Sequence, residues 1–190
     1  MKQLLRVIIC CFIGLWAVTV EAQPTTAPQV SGALESPKLV GSGNYRWMGL
    51  KVYEAALWAS SSDDKFNAKK FDEHAFALAL TYSLSLKGAA IAERSADEIE
   101  KLGIGSDAQR KRWLQAMANV FPDVKSDDQL VGVNLPNQGA RFFFNGKKIG
   151  DISEPEFAKA FFAIWLDSKT SAPSLRTSLF KGLAGEQGAR

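Results

Sequence analysis

The sequence predicts an α+β domain in which an antiparallel sheet carries helices packed on one face. Residues 75–86 alternate large apolar and small side chains without a break, which is the period of a β-strand. Asn145-Gly146 separates two apolar runs, and this dipeptide is a strong hairpin signal. Segments with strand and helix patterns also come in separate blocks, which is typical of α+β domains.

The strand patterns form two groups along the chain. Residues 39–60 are rich in β-branched and aromatic side chains and contain Gly49 near the middle, which predicts two strands. In residues 75–86 the even positions are large and the odd positions are small, so one face of this strand is bulky and the other is nearly flat. The second group of predicted strands covers residues 129–135, 140–144 and 147–152.

Four helices are predicted between and after these strand groups. Their predicted spans are 89–102, 106–121, 153–167 and a last helix that begins at Pro173. Ser106 with Gln109, and Ser153 with Glu156, have the spacing of capping boxes at helix starts. The charged segment 60–73 is expected to be a loop with a short helical turn.

The N-terminus has the pattern of a secretory signal peptide. Lys2 and Arg6 precede an uncharged run of 14 residues, Val7 to Val20, and Val20-Glu21-Ala22 places small residues at −3 and −1 of a cut before Gln23. A membrane anchor is the alternative, but a spanning helix needs about 20 apolar residues. We therefore predict a signal peptide over residues 1–22 and a periplasmic or secreted protein.

The remaining chain is predicted to be one domain. Residues 23–36 are polar and proline-rich and are expected to be a flexible lead-in. The domain is assigned to residues 37–182, and residues 183–190 are expected to be a disordered tail. No segment after the signal peptide is long and apolar enough to span a membrane.

The composition excludes several chemistries. Cys10 and Cys11 both lie in the predicted signal peptide, and His74 is the only histidine. The processed protein would therefore lack disulfides, thiolate metal sites and cysteine nucleophiles, and it could not build a multi-histidine metal site. We expect no metal and no cofactor, and we expect His74, in a charged loop, to be exposed and solvated.

The charge balance indicates no nucleic-acid partner. The chain has 23 basic and 20 acidic residues, and the basic residues are scattered among the acidic ones rather than clustered as a nucleic-acid footprint would be. Twelve phenylalanines and five tryptophans instead supply enough apolar surface for a large core or an apolar cavity.

Arg46, Lys51 and Tyr53 are the candidate ligand-binding residues. Strand alternation places Lys51 and Tyr53 on one face, and Arg46 precedes them on the neighbouring strand. A cation and a phenol beside an apolar sheet would hold the carboxylate or phenolate of an amphipathic ligand. The alternative is that Arg46 and Lys51 only keep an edge strand soluble.

Four motifs occur in order along the chain. They are Gly41–Trp58, Trp113–Val124 with its Phe-Pro-Asp-Val ending, Phe142-Phe-Phe-Asn-Gly146, and Phe157–Asp167 continuing to Leu175-Arg176. Together they resemble the motifs of the bacterial chalcone isomerase-like family of secreted proteins. The resemblance extends over residues 39–182 and implies the fold of chalcone isomerase, an open-faced β-sandwich with a large antiparallel sheet and a layer of helices on one face, in agreement with the strand and helix blocks.

The resemblance also implies functional roles. In the family's enzymes an arginine after the glycine-rich start binds the flavonoid oxyanion, and a strand threonine and a tyrosine help to activate water. Relatives that bind fatty acids hold the carboxylate with the arginine and a tyrosine. Arg46 would take the arginine's place and Tyr53 the threonine's, whereas no tyrosine occurs around residues 88–90. This pattern implies a binding protein rather than an enzyme that cyclises chalcones.

Three functions are open on the sequence. The first, which we expect, is non-catalytic binding of a fatty acid or similar amphipathic acid, with Arg46, Lys51 and Tyr53 at the head group. The second is an intramolecular lyase or isomerase of chalcone isomerase type, in which Arg46 stabilises an enolate or phenolate. The third is a structural or partner protein of the envelope, whose pocket is filled by its own side chains.

Overall fold

The structure is a computed structural model that describes Leu34, residues 36–63 and residues 65–186, with side chains described as far as Leu183. The predicted signal peptide lies outside the described residues, and so does the predicted lead-in apart from Leu34 and Ser36.

Six strands form one antiparallel sheet whose spatial order follows the chain order. Their bounds are β1 Pro37–Trp47, β2 Leu50–Ser60, β3 Phe76–Tyr82, β4 Gln129–Leu135, β5 Gly139–Phe144 and β6 Lys147–Ile152. Both predicted strand groups are therefore confirmed. The two groups meet at β3 and β4, which pair directly although two helices separate them in the chain.

The helices pack on one face of this sheet, which confirms the predicted fold class. Their bounds are α1 Gly88–Lys101, α2 Asp107–Val120, α3 Pro155–Leu166, α4 Pro173–Leu179 and α5 Lys181–Glu186, with a 3-10 helix at Phe71–Glu73. In the part of the chain that the structure describes, no helix combines the length and the apolar character needed to cross a bilayer.

One of the two predicted capping boxes forms. At the start of α2 the Ser106 hydroxyl accepts a hydrogen bond from the Gln109 amide, and the Gln109 side chain accepts one from the Ser106 amide. The capping box predicted at Ser153 does not form, so that prediction is wrong. There the cap residue is Glu154, its side chain makes no capping hydrogen bond, and Pro155 occupies the first helical turn, so Ser153 lies one residue too early.

The two sheet faces have different cores, as the alternation in residues 75–86 predicts. On the helix face the large side chains of β3, including Leu78 and Leu80, belong to the main core together with side chains of α3. On the other face the small side chains Ala77 and Ala79 form a thinner cluster. Leu34, which lies within the predicted lead-in, is 4% exposed and belongs to this thinner cluster.

The last helices pack directly on β1 because glycines allow their backbones to touch. A side chain on Gly41 would place its first carbon 2.2 Å from the Ser178 carbonyl oxygen, and one on Gly182 would lie 2.3 Å from the Val40 carbonyl oxygen. These contacts hold α4 and α5 against the edge strand. α5 continues to Glu186, so residues 183–186 of the predicted disordered tail are helical, and the rest of that tail lies outside the described residues.

A β-bulge interrupts the pairing of β1 with β2. Tyr45 pairs with Tyr53, but the next residue, Arg46, pairs with Lys51, so Val52 has no partner on β1. One extra residue on a strand exchanges the two faces beyond it and increases the local twist. The side chains at the hairpin end of β2 consequently point to the opposite faces from those that regular alternation would give.

Candidate functional site

A cavity of about 380 Å³ lies between the sheet and the helices, at the end where β1 and β2 form their hairpin. Its volume falls within the range of about 300–1,000 Å³ that small-molecule sites occupy. The walls come from β1, β2, β3, β4 and the segment after β3 on the sheet side, and from α1, the end of α2, α3 and the loop before α4 on the helix side.

The lining is predominantly apolar. Apolar and aromatic side chains come from every wall, namely Tyr45, Trp47, Leu50, Val52, Tyr53, Leu80, Tyr82, Leu84, Leu86, Ala90, Ile91, Phe121, Leu130, Phe161, Ile164, Trp165 and Ala172. The remaining polar residues are few, and they come from α1 and the loop before α4, namely Arg94, Ser95, Glu98 and Ser171. An apolar cavity with a few polar side chains on its helix side suits a ligand with an apolar body and one polar end.

The segment after β3 contributes to the chamber because it leaves the sheet. The alternation of large residues continues to Leu86, yet β3 ends at Tyr82. The Ser83 amide then donates to the Val52 carbonyl, 2.8 Å away, at the β2 bulge. Leu84 and Leu86 are thereby turned towards the cavity. The predicted strand 75–86 is thus shortened at its end, and the released leucines line the site.

The three tyrosines of the chain meet at the sheet side of the cavity. Tyr45 and Tyr53 are cross-strand partners whose rings stack with centroids 5.0 Å apart, and Tyr82 meets the ring of Tyr53 edge to face at 5.8 Å. The Tyr53 hydroxyl accepts a hydrogen bond from the Trp165 indole nitrogen on α3 over 2.9 Å. This bond ties the sheet to the helix layer and leaves the Tyr53 hydroxyl hydrogen available to another acceptor.

Burial keeps two of these phenols neutral. It raises the pKa of Tyr82 well above its ordinary value. It also raises the pKa of Tyr53, and there the hydrogen bond from Trp165 opposes the effect without overcoming it. Both side chains are therefore neutral hydroxyl groups at neutral pH, able to take part in hydrogen bonds but not to act as anions.

A charged cluster lies on the α1 wall around Glu98, whose side chain is 8% exposed. Its carboxylate contacts Arg94 at 2.5 Å and Lys101 at 3.0 Å, and it accepts a hydrogen bond from the Ser171 hydroxyl at 2.6 Å. Burial by itself would raise the pKa of Glu98. The hydrogen bonds from Ser171 and Lys101 and the positive charges of Arg94 and Lys101 outweigh it and lower that pKa.

The cluster of Arg94, Lys101 and Glu98 has one positive charge in excess, and Arg94 and Glu98 are its members that line the cavity. Two cations surround one ionised carboxylate, and Arg94 is the only lysine or arginine among the described lining residues. The Arg94 side chain is 53% exposed, so it stands where the cavity meets solvent. Its guanidinium carries five N–H donors, and its contact with Glu98 is made through one nitrogen, Nη2.

The structure places only one of the three predicted site residues in the cavity. Tyr53 lines it, whereas Arg46 and Lys51 do not. Arg46 is exposed and donates to the Gly49 carbonyl over 3.2 Å, and Lys51 pairs with Glu54 at 3.4 Å. The bulge at Val52 explains the difference, because beyond it Lys51 no longer shares the face of Tyr53. Ligand contact by Arg46 or Lys51 stays a prediction.

The sequence reasoning missed the residues on α1. Ile91, Ser95, Glu98 and Leu102 are spaced as neighbours on one helical face. A serine and a glutamate on an otherwise apolar stripe are a signal, since buried polar side chains need partners. Arg94, four residues before Glu98, is the partner that this spacing would have suggested.

His74 differs from its prediction and lies away from the cavity. It is not exposed, because its side chain is 13% accessible and its Nδ1 lies 2.6 Å from Asp63 Oδ2. Its ring also meets the ring of Phe66 edge to face. No group of three histidine, cysteine or acidic residues that could hold a metal ion exists among the described residues.

Two sequence comparisons describe what the chain is similar to. A family model described as chalcone isomerase-like matches residues 21–180. An uncharacterised protein of Haemophilus influenzae is 27% identical over 140 residues, which covers 74% of this chain and 66% of that protein. The chain thus spans a little less than two thirds of the length of this relative.

A solved structure shares the fold. The crystal structure of a fatty-acid binding protein of Arabidopsis thaliana superposes with a TM-score of 0.62, covering 79% of this chain and 89% of the other at 12% sequence identity. With 12% identity and a TM-score of 0.62, this similarity shows that the two proteins share the arrangement of sheet and helices.

The buried phenol of Tyr82 predicts a stability loss in alkali. The folded state holds this proton to a higher pH than the unfolded chain, whose phenols ionise near pH 10. The contribution of such a phenol to the free energy of unfolding is therefore fully present below about pH 10. Above that pH it falls by about 1.4 kcal/mol per pH unit. Urea unfolding from pH 8 to pH 11 should show a shallower decline for Tyr82→Phe than for the wild type. Parallel declines would contradict the assignment.

Proposed function

This chain belongs to the chalcone isomerase-like family, and from that premise we propose that it is a non-catalytic carrier of a fatty acid or a similar amphipathic acid. The cavity is the observation that carries the proposal. It is open, of suitable volume and almost wholly apolar, and its charged side chains, Arg94 and Glu98, lie on the α1 wall. These are the features of a site that buries an aliphatic chain and positions one charged end.

Arg94 is the group that we assign to the ligand carboxylate. It stands at the solvent side of the cavity, and the cluster of Arg94, Lys101 and Glu98 has one positive charge in excess. A ligand carboxylate would neutralise this excess through charge-assisted hydrogen bonds. A carboxylate placed deeper would be desolvated against neutral phenols and leucines, which is unfavourable. The ligand therefore enters tail first.

The tail would lie among the side chains that bridge sheet and helices, with Leu80, Leu130 and Ile164 among them. Removing apolar surface from water contributes about 25 cal/mol per Å². The hydroxyl groups of Tyr53 and Tyr82 would contact polar atoms of a ligand that has them, such as a hydroxylated chain or a phenolic acid.

The open cavity disfavours the third function considered from the sequence, in which the protein's own side chains fill the pocket. The isomerase alternative has less support than binding. Arg46, the residue that it requires beside the substrate oxyanion, donates to the Gly49 carbonyl outside the cavity.

The place of action that we propose is the periplasm or the outside of the cell. The proposal rests on the order of the N-terminal residues, in which Lys2 and Arg6 precede the apolar run and Val20-Glu21-Ala22 ends it. A carrier in this compartment would move an acid of low solubility through water.

Blocking the cavity entrance should weaken ligand binding. Ala90 is exposed on α1 and lines the cavity, whereas its neighbour Ala89 is exposed but does not line it. In Ala90→Trp the indole occupies the entrance, so we expect palmitic acid to bind about tenfold more weakly or worse. Calorimetric titration and displacement of a fluorescent long-chain acid measure the effect.

Ala89→Trp is the matched control for this variant, and it should bind as the wild type does. Equal affinity of the wild type, Ala89→Trp and Ala90→Trp for palmitic acid would contradict the proposal. So would the absence of any co-purified lipid by denaturing mass spectrometry combined with the absence of a thermal shift on adding long-chain acids.

Arg94 should discriminate acids from alcohols. In Arg94→Gln the carboxylate loses its cation while Glu98 keeps Lys101 and Ser171, so palmitic acid should bind about tenfold more weakly. Hexadecanol, which has the same chain length and no charge, should bind the variant and the wild type alike. An equal loss for acid and alcohol would show that Arg94 only shapes the cavity.

Export should remove the first 22 residues. When the full chain is expressed in a Gram-negative host, the protein in the periplasmic fraction should begin at Gln23, which intact-mass measurement reads directly. Ala22→Leu places a bulky residue at −1 and should leave the longer precursor in the membrane fraction. Recovery of the unprocessed chain from the cytoplasm would contradict the proposed location.

A further inference from the structure

The β1–β2 hairpin exposes an apolar tip beside the cavity. Trp47, Met48 and Leu50 are 59%, 80% and 60% exposed, and they are the only large apolar side chains exposed in the part of the chain that the structure describes. All three lie within four consecutive residues. Concentration of exposed apolar surface at one point is typical of an interaction site rather than of the scattered exposure found on any protein.

The turn keeps a residue that the backbone disfavours. Met48 and Gly49 have φ angles of +48° and +82°, and Asn145 and Gly146, in the β5–β6 turn, have +45° and +81°. Such two-residue turns prefer Asn-Gly, because asparagine tolerates positive φ better than long side chains do. The chain uses Asn-Gly in one turn and Met-Gly in the other. Local turn chemistry therefore does not account for the methionine.

The tip is flanked by positive charge. Arg46 and Lys51 bracket it, and no acidic residue occurs from Asn44 to Tyr53. Lys51 is partly offset by Glu54, 3.4 Å away. Arg46 donates to the Gly49 carbonyl and has no acidic partner in the described part of the chain. Aromatic and aliphatic side chains flanked by cations match the anionic surface of a lipid bilayer, where apolar groups enter the interface and cations meet the headgroups.

The tip and the cavity are continuous. Trp47 and Leu50 line the cavity and are also more than half exposed, so they form part of its entrance. Met48 extends beyond them and does not line the cavity. A surface that covered the tip would therefore also lie against the entrance.

We propose that the Trp47–Leu50 hairpin tip docks the protein on an anionic lipid bilayer, with the cavity entrance at the membrane surface. Met48 inserts farthest, Trp47 and Leu50 occupy the interface, and Arg46 and Lys51 meet the phosphate groups. An amphipathic acid would then pass between bilayer and cavity without crossing water. Only this last step rests on the proposed function, because docking itself needs only the hairpin.

Vesicle flotation tests the docking. The full chain is expressed and exported, and the purified protein is mixed with vesicles of phosphatidylcholine alone or with an equal part of phosphatidylglycerol. The wild type should float with the anionic vesicles and largely stay behind with the neutral ones. Met48→Asn removes the exposed side chain and installs the preferred turn residue, so the fold is retained while flotation falls about fivefold or more.

Charge is tested by Arg46→Gln against Lys111→Gln, which changes the net charge equally at an exposed position on α2. Only Arg46→Gln should weaken binding to anionic vesicles. Absence of flotation with either vesicle, or undiminished flotation of Met48→Asn, would overturn the proposal. Equal flotation with both vesicles would overturn the assignment to an anionic surface.

Palmitic acid binding to Met48→Asn, measured without vesicles, separates the two proposals. Met48 does not line the cavity, so the affinity should equal that of the wild type. If vesicle binding depends on the tip but no acid binds, the docking proposal stands and the proposed carrier function fails. If acids bind but Met48→Asn floats as the wild type does, the reverse holds.

Discussion

Val52, the unpaired residue near the hairpin end of β2, determines how the cavity end of the molecule is built. On the core side of this bulge, β2 directs Tyr53 and alternate residues at the helices, as a regular strand would. Beyond it the faces exchange, so that Leu50 and Val52 line the cavity and Lys51 does not. The Val52 carbonyl also accepts a hydrogen bond from the Ser83 amide. This bond holds the segment after β3 at the same end of the sheet. Cavity wall, entrance and hairpin tip thus share one structural cause.

Sequence reasoning located the elements well because their signals are local. Alternation in residues 75–86, the Asn145-Gly146 turn and the Ser106 cap each depend on residues a few positions apart. It failed where partners distant in the chain decide. The Val52 bulge exists only in the pairing of β1 with β2, and the orientation of Arg94 depends on how α1 lies against the sheet. The site predicted at Arg46, Lys51 and Tyr53 therefore retained one cavity residue.

The polar groups of the cavity have two separate roles. Some join the sheet to the helices, and others present a charge at the entrance. Tyr53 and Trp165 join the two layers by a hydrogen bond in a largely buried place, where an unpaired indole N–H would be costly. Glu98 plays a different part. It is buried beside the cavity but remains ionised because Arg94, Lys101 and Ser171 surround it. By fixing Arg94 at the entrance, Glu98 presents a cation that a ligand carboxylate can share.

The distribution of side-chain volume explains why the cavity occupies one end only. Towards β5 and β6 the space between sheet and helices is filled by stacked and edge-on rings, among them Phe142, Phe157 and Phe161. At the β1–β2 end the helix wall carries small residues such as Ser95 and Ala172, which cannot reach the sheet. Empty apolar space costs stability, and a bound apolar chain would recover it while stabilising the folded state by mass action. The same small residues that weaken the free protein are therefore what would make it able to accept a ligand.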